Sequence, residues 1–186
     1  MSLRLLLICS ASTNGVRSAA FPADEPLDAQ GRTSAAALSG ELGSFAIVRT
    51  SPALRARETA ASLGLAASVD PALRDLDVGR WAGRSLTEIE AAEPAGLAAW
   101  TSDIDAAPHG GEAIAALLER TRLWLDACRT RRGRILAVTH AAVIRAAVVH
   151  AIDAKPSSFW RIDVAPLCRV DLRSNGERWV LRSLRN

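Results

Sequence analysis

A chain of 186 residues has room for one domain, or a core with a small insertion, and is long enough to bury a substantial core. With 49% apolar residues, no low-complexity tract and no internal repeat, it reads as an ordinary globular protein. The formal charge of +3 is modest and the arginines are spread along the chain rather than gathered into one block.

The chain opens with a short apolar run, Leu3-Arg4-Leu5-Leu6-Leu7-Ile8, that ends abruptly in Cys9-Ser10-Ala11-Ser12-Thr13-Asn14-Gly15. The run is too short for an independent helix and predicts a strand buried on both faces. Ligands of open α/β sheets bind outside the carboxyl ends of such strands, so residues 9–17 are expected to line the site. Residues 21–28 are rich in proline and acid and read as irregular surface chain. An alanine-rich helix then runs towards Leu42 and is closed by glycine.

Residues 45–49 form the second predicted strand. Thr50-Ser51-Pro52 follows as a turn and helix start, and the next helix presents its N-terminal end to the same crevice. A short strand near 67–69 leads into a loop carrying Asp75, which by itself reads as a surface aspartate. Residues 87–100 predict short helices broken near Pro94 and Gly96, within a small cap of roughly 87–109 that leaves His109 in an exposed loop. A long helix reaches about Arg131, with Ile114, Leu117, Leu118, Leu123, Trp124 and Leu125 as its buried stripe.

Residues 134–138 are a strand that delivers Thr139-His140 to the start of a helix. A lone histidine beside an apolar strand is more often structural, yet its place at a strand's carboxyl end favours a role in the site. His150 reads as a helix-end histidine. Strands near 162–164, 168–172 and 179–184, the last two joined at Asn175-Gly176, predict an antiparallel extension of the sheet.

The run Arg129-Thr130-Arg131-Arg132-Gly133-Arg134 complements a helix dipole rather than marking a nucleic-acid site. Cys9, Cys128 and Cys168 are odd in number, widely spaced and set in apolar surroundings, as reduced thiols of a cytoplasmic protein are; no pair has metal-ligand spacing. The N-terminal apolar run is too short for a signal peptide, and no stretch spans a membrane. No cofactor or metal is expected.

Two families place chemistry after a first strand of this kind. Cysteine-based phosphatases set an arginine six positions after the thiolate, whereas Arg17 stands eight positions after Cys9, and two extra residues in so tight a loop misplace it. The other resemblance covers nearly the whole chain. Pro26-Leu27-Asp28 to Gly31, Ser51-Pro52 with Arg55, Thr59 and Ala60, the segment 71–86 with Gly79, Trp81 and Gly83, Pro108 with Gly110-Gly111-Glu112, and Val138-Thr139-His140 together resemble the histidine phosphatase superfamily, the phosphoglycerate-mutase-like group.

The resemblance implies a three-layer α/β/α sandwich with a mostly parallel central sheet and an antiparallel edge strand. It implies that Arg55 and His140 hold phosphoryl oxygens and that Asp75 stands where a glutamate donates a proton to the leaving group. The superfamily's first strand ends in Arg-His-Gly followed by a threonine; here Cys9-Ser10-Ala11 occupies those positions and Thr13 is kept. The catalytic candidates are therefore Ser10, Asp75 and His140, and the phosphate-binding candidates Cys9, Thr13, Arg17, Arg55 and His140. Val16 takes the place of a usual asparagine, for which Asn14 or Arg17 is a partial substitute.

A single arginine contributed to phosphoryl transfer is worth on the order of a thousandfold, and the nucleophile more still. The expected protein thus has a degenerate site, lacks phosphohistidine chemistry and binds a small phosphorylated metabolite or inorganic anion. Two alternatives stay open: an active phosphomonoesterase with Cys9 or Ser10 as nucleophile, and a non-catalytic partner-binding scaffold. Ligand identity and oligomeric state are not legible.

Overall fold

The computed structural model describes residues 2–186. Its elements run β1 (Leu3–Cys9), α1 (Asn14–Arg17), α2 (Ala29–Ala37), β2 (Ile47–Thr50), α3 (Leu54–Ser62), β3 (Ser68–Val69), α4 (Leu86–Ala92), α5 (Pro94–Ser102), α6 (Ile114–Arg129), β4 (Gly133–Thr139), α7 (Ala141–Ala151), β5 (Arg169–Ser174) and β6 (Trp179–Arg185). The six strands form one sheet in the order β3-β2-β4-β1-β5-β6. The first four in that order are mutually parallel, and β5 and β6 add an antiparallel hairpin beside β1.

Because side chains alternate across a strand, β1 feeds two cores at once. Leu3, Leu5, Leu7 and Cys9 pack with Leu125 and Cys128 of α6 and Ile144, Ala147 and Val148 of α7. Leu6 and Ile8 face the other way, onto Ala35 of α2, Ala56 and Ala60 of α3 and Leu63 at its C-terminal cap. Helices therefore cover both faces, and the fold is the α/β/α arrangement expected of the sequence. A third cluster, around Trp81, Ile89, Leu117, Val149 and Phe159, extends the core towards α4 and α5.

Local chemistry sets the element ends. Asp28 caps α2, its carboxylate accepting from Gly31 N at 2.6 Å. Gly31 itself lies against the Ser12 carbonyl, where any Cβ would collide. Ser85 and Glu88 close a capping box on α4. Pro94 is the first residue of α5, where its missing N–H is harmless, and Gly96 lies within that helix without breaking it.

Three expectations are corrected here. Residues 162–164 are not a strand: both edges of β5 are taken, by β1 and by β6, and Ile162 instead accepts from Arg145 Nε at 2.8 Å. In α6 the buried stripe is Ile114, Leu117, Thr121, Leu125 and Cys128, and Leu123, off that 3-4-4-3 spacing, is 53% exposed. His109 is buried, not an exposed loop residue, and packs edge-on against Trp81 with ring centroids 5.1 Å apart. Gly79 and Gly111 allow this by letting two backbone segments pass in contact, where a Cβ on Gly79 would strike the His109 carbonyl.

Candidate active site

The parallel strands end level with one another. Cys9 pairs with Thr139 and Thr50 with Val138, so the next residues, Ser10, His140 and Ser51, emerge side by side at the carboxyl edge. Ser10 N and Ser51 N continue the ladder, donating to Thr139 O at 2.8 Å and Val138 O at 2.9 Å. Thr59 of α3 ties the following loop down: Ala11 N donates to its Oγ1 at 2.9 Å. A cavity of about 220 Å³ opens above this edge, and Cys9, Ser10, Arg55, Asp75 and His140 all line it.

Arg55, in the first turn of α3, is nearly buried and already engaged. It donates to Ala23 O at 2.6 Å and to Asp75 Oδ2 at 2.5 Å. Arg120 of α6 holds the Asp75 loop by donating to the Ala72 and Asp75 carbonyls, and is itself paired with Glu112 at 2.7 Å. Burial alone raises the Asp75 carboxyl, but His140, Arg55 and the Leu76 N–H outweigh it and hold the carboxyl below its ordinary range. His140 is neutral at pH 7, so near neutrality the Arg55 guanidinium does most of this.

His140 is the N-cap residue immediately before α7 and is 2% exposed. Burial pulls its pKa down to about 4, against the opposing pull of Asp75. Its Nε2 lies 2.7 Å from Ser51 Oγ, while Nδ1 is 3.5 Å from Asp75 Oδ2 and makes no hydrogen bond. A carboxylate on that side favours the proton on Nδ1, with Ser51 donating to Nε2. Sequence reasoning passed over Ser51 as a turn residue; a hydroxyl at the end of the strand neighbouring His140 was the available signal.

Cys9 is buried, and burial, helped by Asp75, pushes its thiol up to about 12. The thiolate that a Cys9 nucleophile requires is thus not formed at neutral pH. Thr13 and Arg17 are not brought into the cavity. Thr13 caps α1, accepting from Val16 N at 3.1 Å and donating to Glu25 Oε1 at 2.8 Å. Arg17 and Asn14 are exposed on α1, whereas Val16 lines the cavity, so neither replaces a polar group there. Among the described residues, no three His, Cys, Asp or Glu side chains cluster as a metal site, and no helix is long and apolar enough to cross a membrane.

At one edge of an α/β/α sheet, a buried histidine after β4, an arginine from α3 and a carboxylate from the loop that carries Asp75 meet in one cavity. The chain belongs to the histidine phosphatase superfamily, branch 1, whose family model matches residues 5–186. It is similar to glucosyl-3-phosphoglycerate phosphatase of Mycobacterium tuberculosis, 36% identical over 105 residues, a stretch covering 53% of this chain and 47% of that one. A bifunctional protein of Mycobacterium tuberculosis is 30% identical over 142 residues, 72% of this chain and 39% of that protein. The matches thus span about half or less of these relatives' length. Among solved structures, mycobacterial glucosyl-3-phosphoglycerate phosphatase with VO3 superposes with a TM-score of 0.85 at 25% identity, covering 96% of each chain. An Entamoeba histolytica phosphoserine phosphatase with 3-phosphoglyceric acid shares the fold, with a TM-score of 0.87 at 20% identity over 99% of this chain and 97% of that one.

Proposed function

We propose that this protein binds a phosphate ester or related small anion at the carboxyl ends of β1, β2 and β4 and does not hydrolyse it through a phosphohistidine. The observation that carries this reading is His140 Nδ1, a buried nitrogen without a hydrogen-bond partner among the described residues, at the strand-end floor of the cavity. A ligand oxygen accepting from it relieves an otherwise costly buried donor, and Arg55, by neutralising Asp75, keeps that carboxylate from repelling an anion. Vanadate and 3-phosphoglyceric acid in the solved relatives support a phosphate-like ligand.

The case against turnover is one of lone pairs. Ser10 needs a base to become nucleophilic. On the tautomer favoured above, the Nε2 lone pair of His140 faces Ser51, and its Nδ1 carries a proton. Cys9 remains a thiol, so neither Cys9 nor Ser10 is an activated nucleophile; the hydroxyl hydrogen-bonded to His140 Nε2 is that of Ser51. On this reading residues 87–109 form a small cap within a single domain, contributing Trp100 to the cavity. The three buried free thiols fit a reducing compartment, and we place the protein in the cytoplasm.

The test is hydrolysis of an aryl phosphate by the wild type beside the double variant Cys9→Arg, Ser10→His, with calorimetric titration of phosphate and vanadate. The wild type is expected to be inert, the double variant to gain turnover, and anion binding to vanish in Arg55→Met. A wild type that turns over, and loses that activity in Ser10→Ala, overturns the proposal.

A further inference from the structure

The chain has three phenylalanines, five tryptophans and no tyrosine, and five of these eight aromatic residues gather beside the strand ends. Trp81 is fully buried and backs the group, while Phe21, Trp100, Phe159 and Trp160 line the cavity. Trp100 meets Trp160 at 4.6 Å and Phe21 at 5.5 Å between ring centroids, both edge to face. Val16, 49% exposed, adds an apolar side chain to the same wall. Such a wall suits a flat apolar group and offers little to a hydrated sugar or glycerol.

Arg145 of α7 also lines the cavity. Its Nε donates to Ile162 O at 2.8 Å and its guanidinium carbon lies 5.8 Å from the Phe159 ring centroid, but among the described residues it pairs with no carboxylate. It differs in this from Arg55, which is committed to Asp75. Glu25, the remaining acid of the wall, is already occupied by Thr13 Oγ1 and Gly15 N. Trp100 Nε1 is a second unused donor, buried with no partner.

We propose that the cavity takes a flat aromatic group bearing one carboxylate, its ring against Trp100 and Trp160 and its carboxylate on the free Nη atoms of Arg145. A planar guanidinium with both terminal nitrogens free matches a carboxylate. This names the organic part of the ligand and rests on the anion-binding reading only for the end that reaches His140.

The test titrates inorganic phosphate, phenyl phosphate, 4-carboxyphenyl phosphate and benzoate into the full chain, read by calorimetry and tryptophan fluorescence. Phenyl phosphate is expected to bind at least about tenfold tighter than phosphate, and the carboxylated ester at least about tenfold tighter again. Arg145→Met removes only the second gain. Arg145→Lys retains part of it and serves as the check if Arg145→Met fails to fold. The inference is overturned if phosphate binds but the aryl group adds nothing, or if the carboxylate gain persists in Arg145→Met. Benzoate binding that depends on Arg145, with no binding of phosphate, upholds the aromatic slot and removes the anion site at His140. Failure of all four probes overturns both.

Discussion

The cavity has a floor and a wall built on opposite terms. On the floor, at the strand ends, nearly every polar group is used internally: Arg55 on Asp75, His140 Nε2 on Ser51, the Asp75 loop on Arg120. On the wall, four aromatic rings and Arg145 carry little internal hydrogen bonding, and both Trp100 Nε1 and the Arg145 guanidinium keep unused donors. The contrast teaches that shape and residual charge for recognition lie with the wall, while the floor is a nearly neutral, self-satisfied network with one open nitrogen.

That contrast can be broken from either side. Trp81→Ala removes the fully buried ring behind the wall and should destabilise the protein by about 3–5 kcal/mol, measured by denaturant unfolding. A much smaller loss would mean that the wall collapses onto itself and is not a packed unit. Arg55→Met attacks the floor by leaving the Asp75 carboxylate without its guanidinium. The expected loss is about 3 kcal/mol near pH 7, the low end for a broken buried pair because Asp75 keeps some exposure.

The third comparison is a pH series. His140 titrates at about 4 in the folded chain against an ordinary 6.5, so the unfolded state binds the proton more readily between those values. Stability should therefore be fully present above about pH 6.5 and fall by up to roughly 2–3 kcal/mol as pH drops towards 4. Asp75, held below its ordinary range, adds its own loss only at lower pH, as protonation follows. His140→Gln should flatten the curve between pH 6.5 and 4; an unchanged slope would assign it to other groups.

Much of the fold was legible because its signals are local. The β1 run, the apolar strand before His140 and the Asn175-Gly176 turn each declare themselves within a few residues. Arg55 and His140 were singled out through the family resemblance, at a helix start and a strand end, and both line the cavity. The misreadings share one cause. His109 follows a proline and precedes two glycines, which looks like an exposed loop, but those glycines let the loop fold inward against Trp81. Arg17 and Thr13 are close to Cys9 in sequence, yet α1 turns Arg17 outward and spends the Thr13 hydroxyl on its own cap.

The sequence by itself determined the alternation of strands and helices, the strand ends as the place of the site, and the absence of a histidine or arginine at positions 9 and 10. Only the tertiary structure decided what that site presents. Phe21, Trp100, Arg145 and Trp160 are scattered over 140 positions, and no spacing rule joins them; the packing of α5 against the segment after α7 does so. Ionisation was decided there too. Burial is the largest cause that pushes the Cys9 thiol up and the His140 imidazole down, and burial is a property of the assembled core, not of any run of residues.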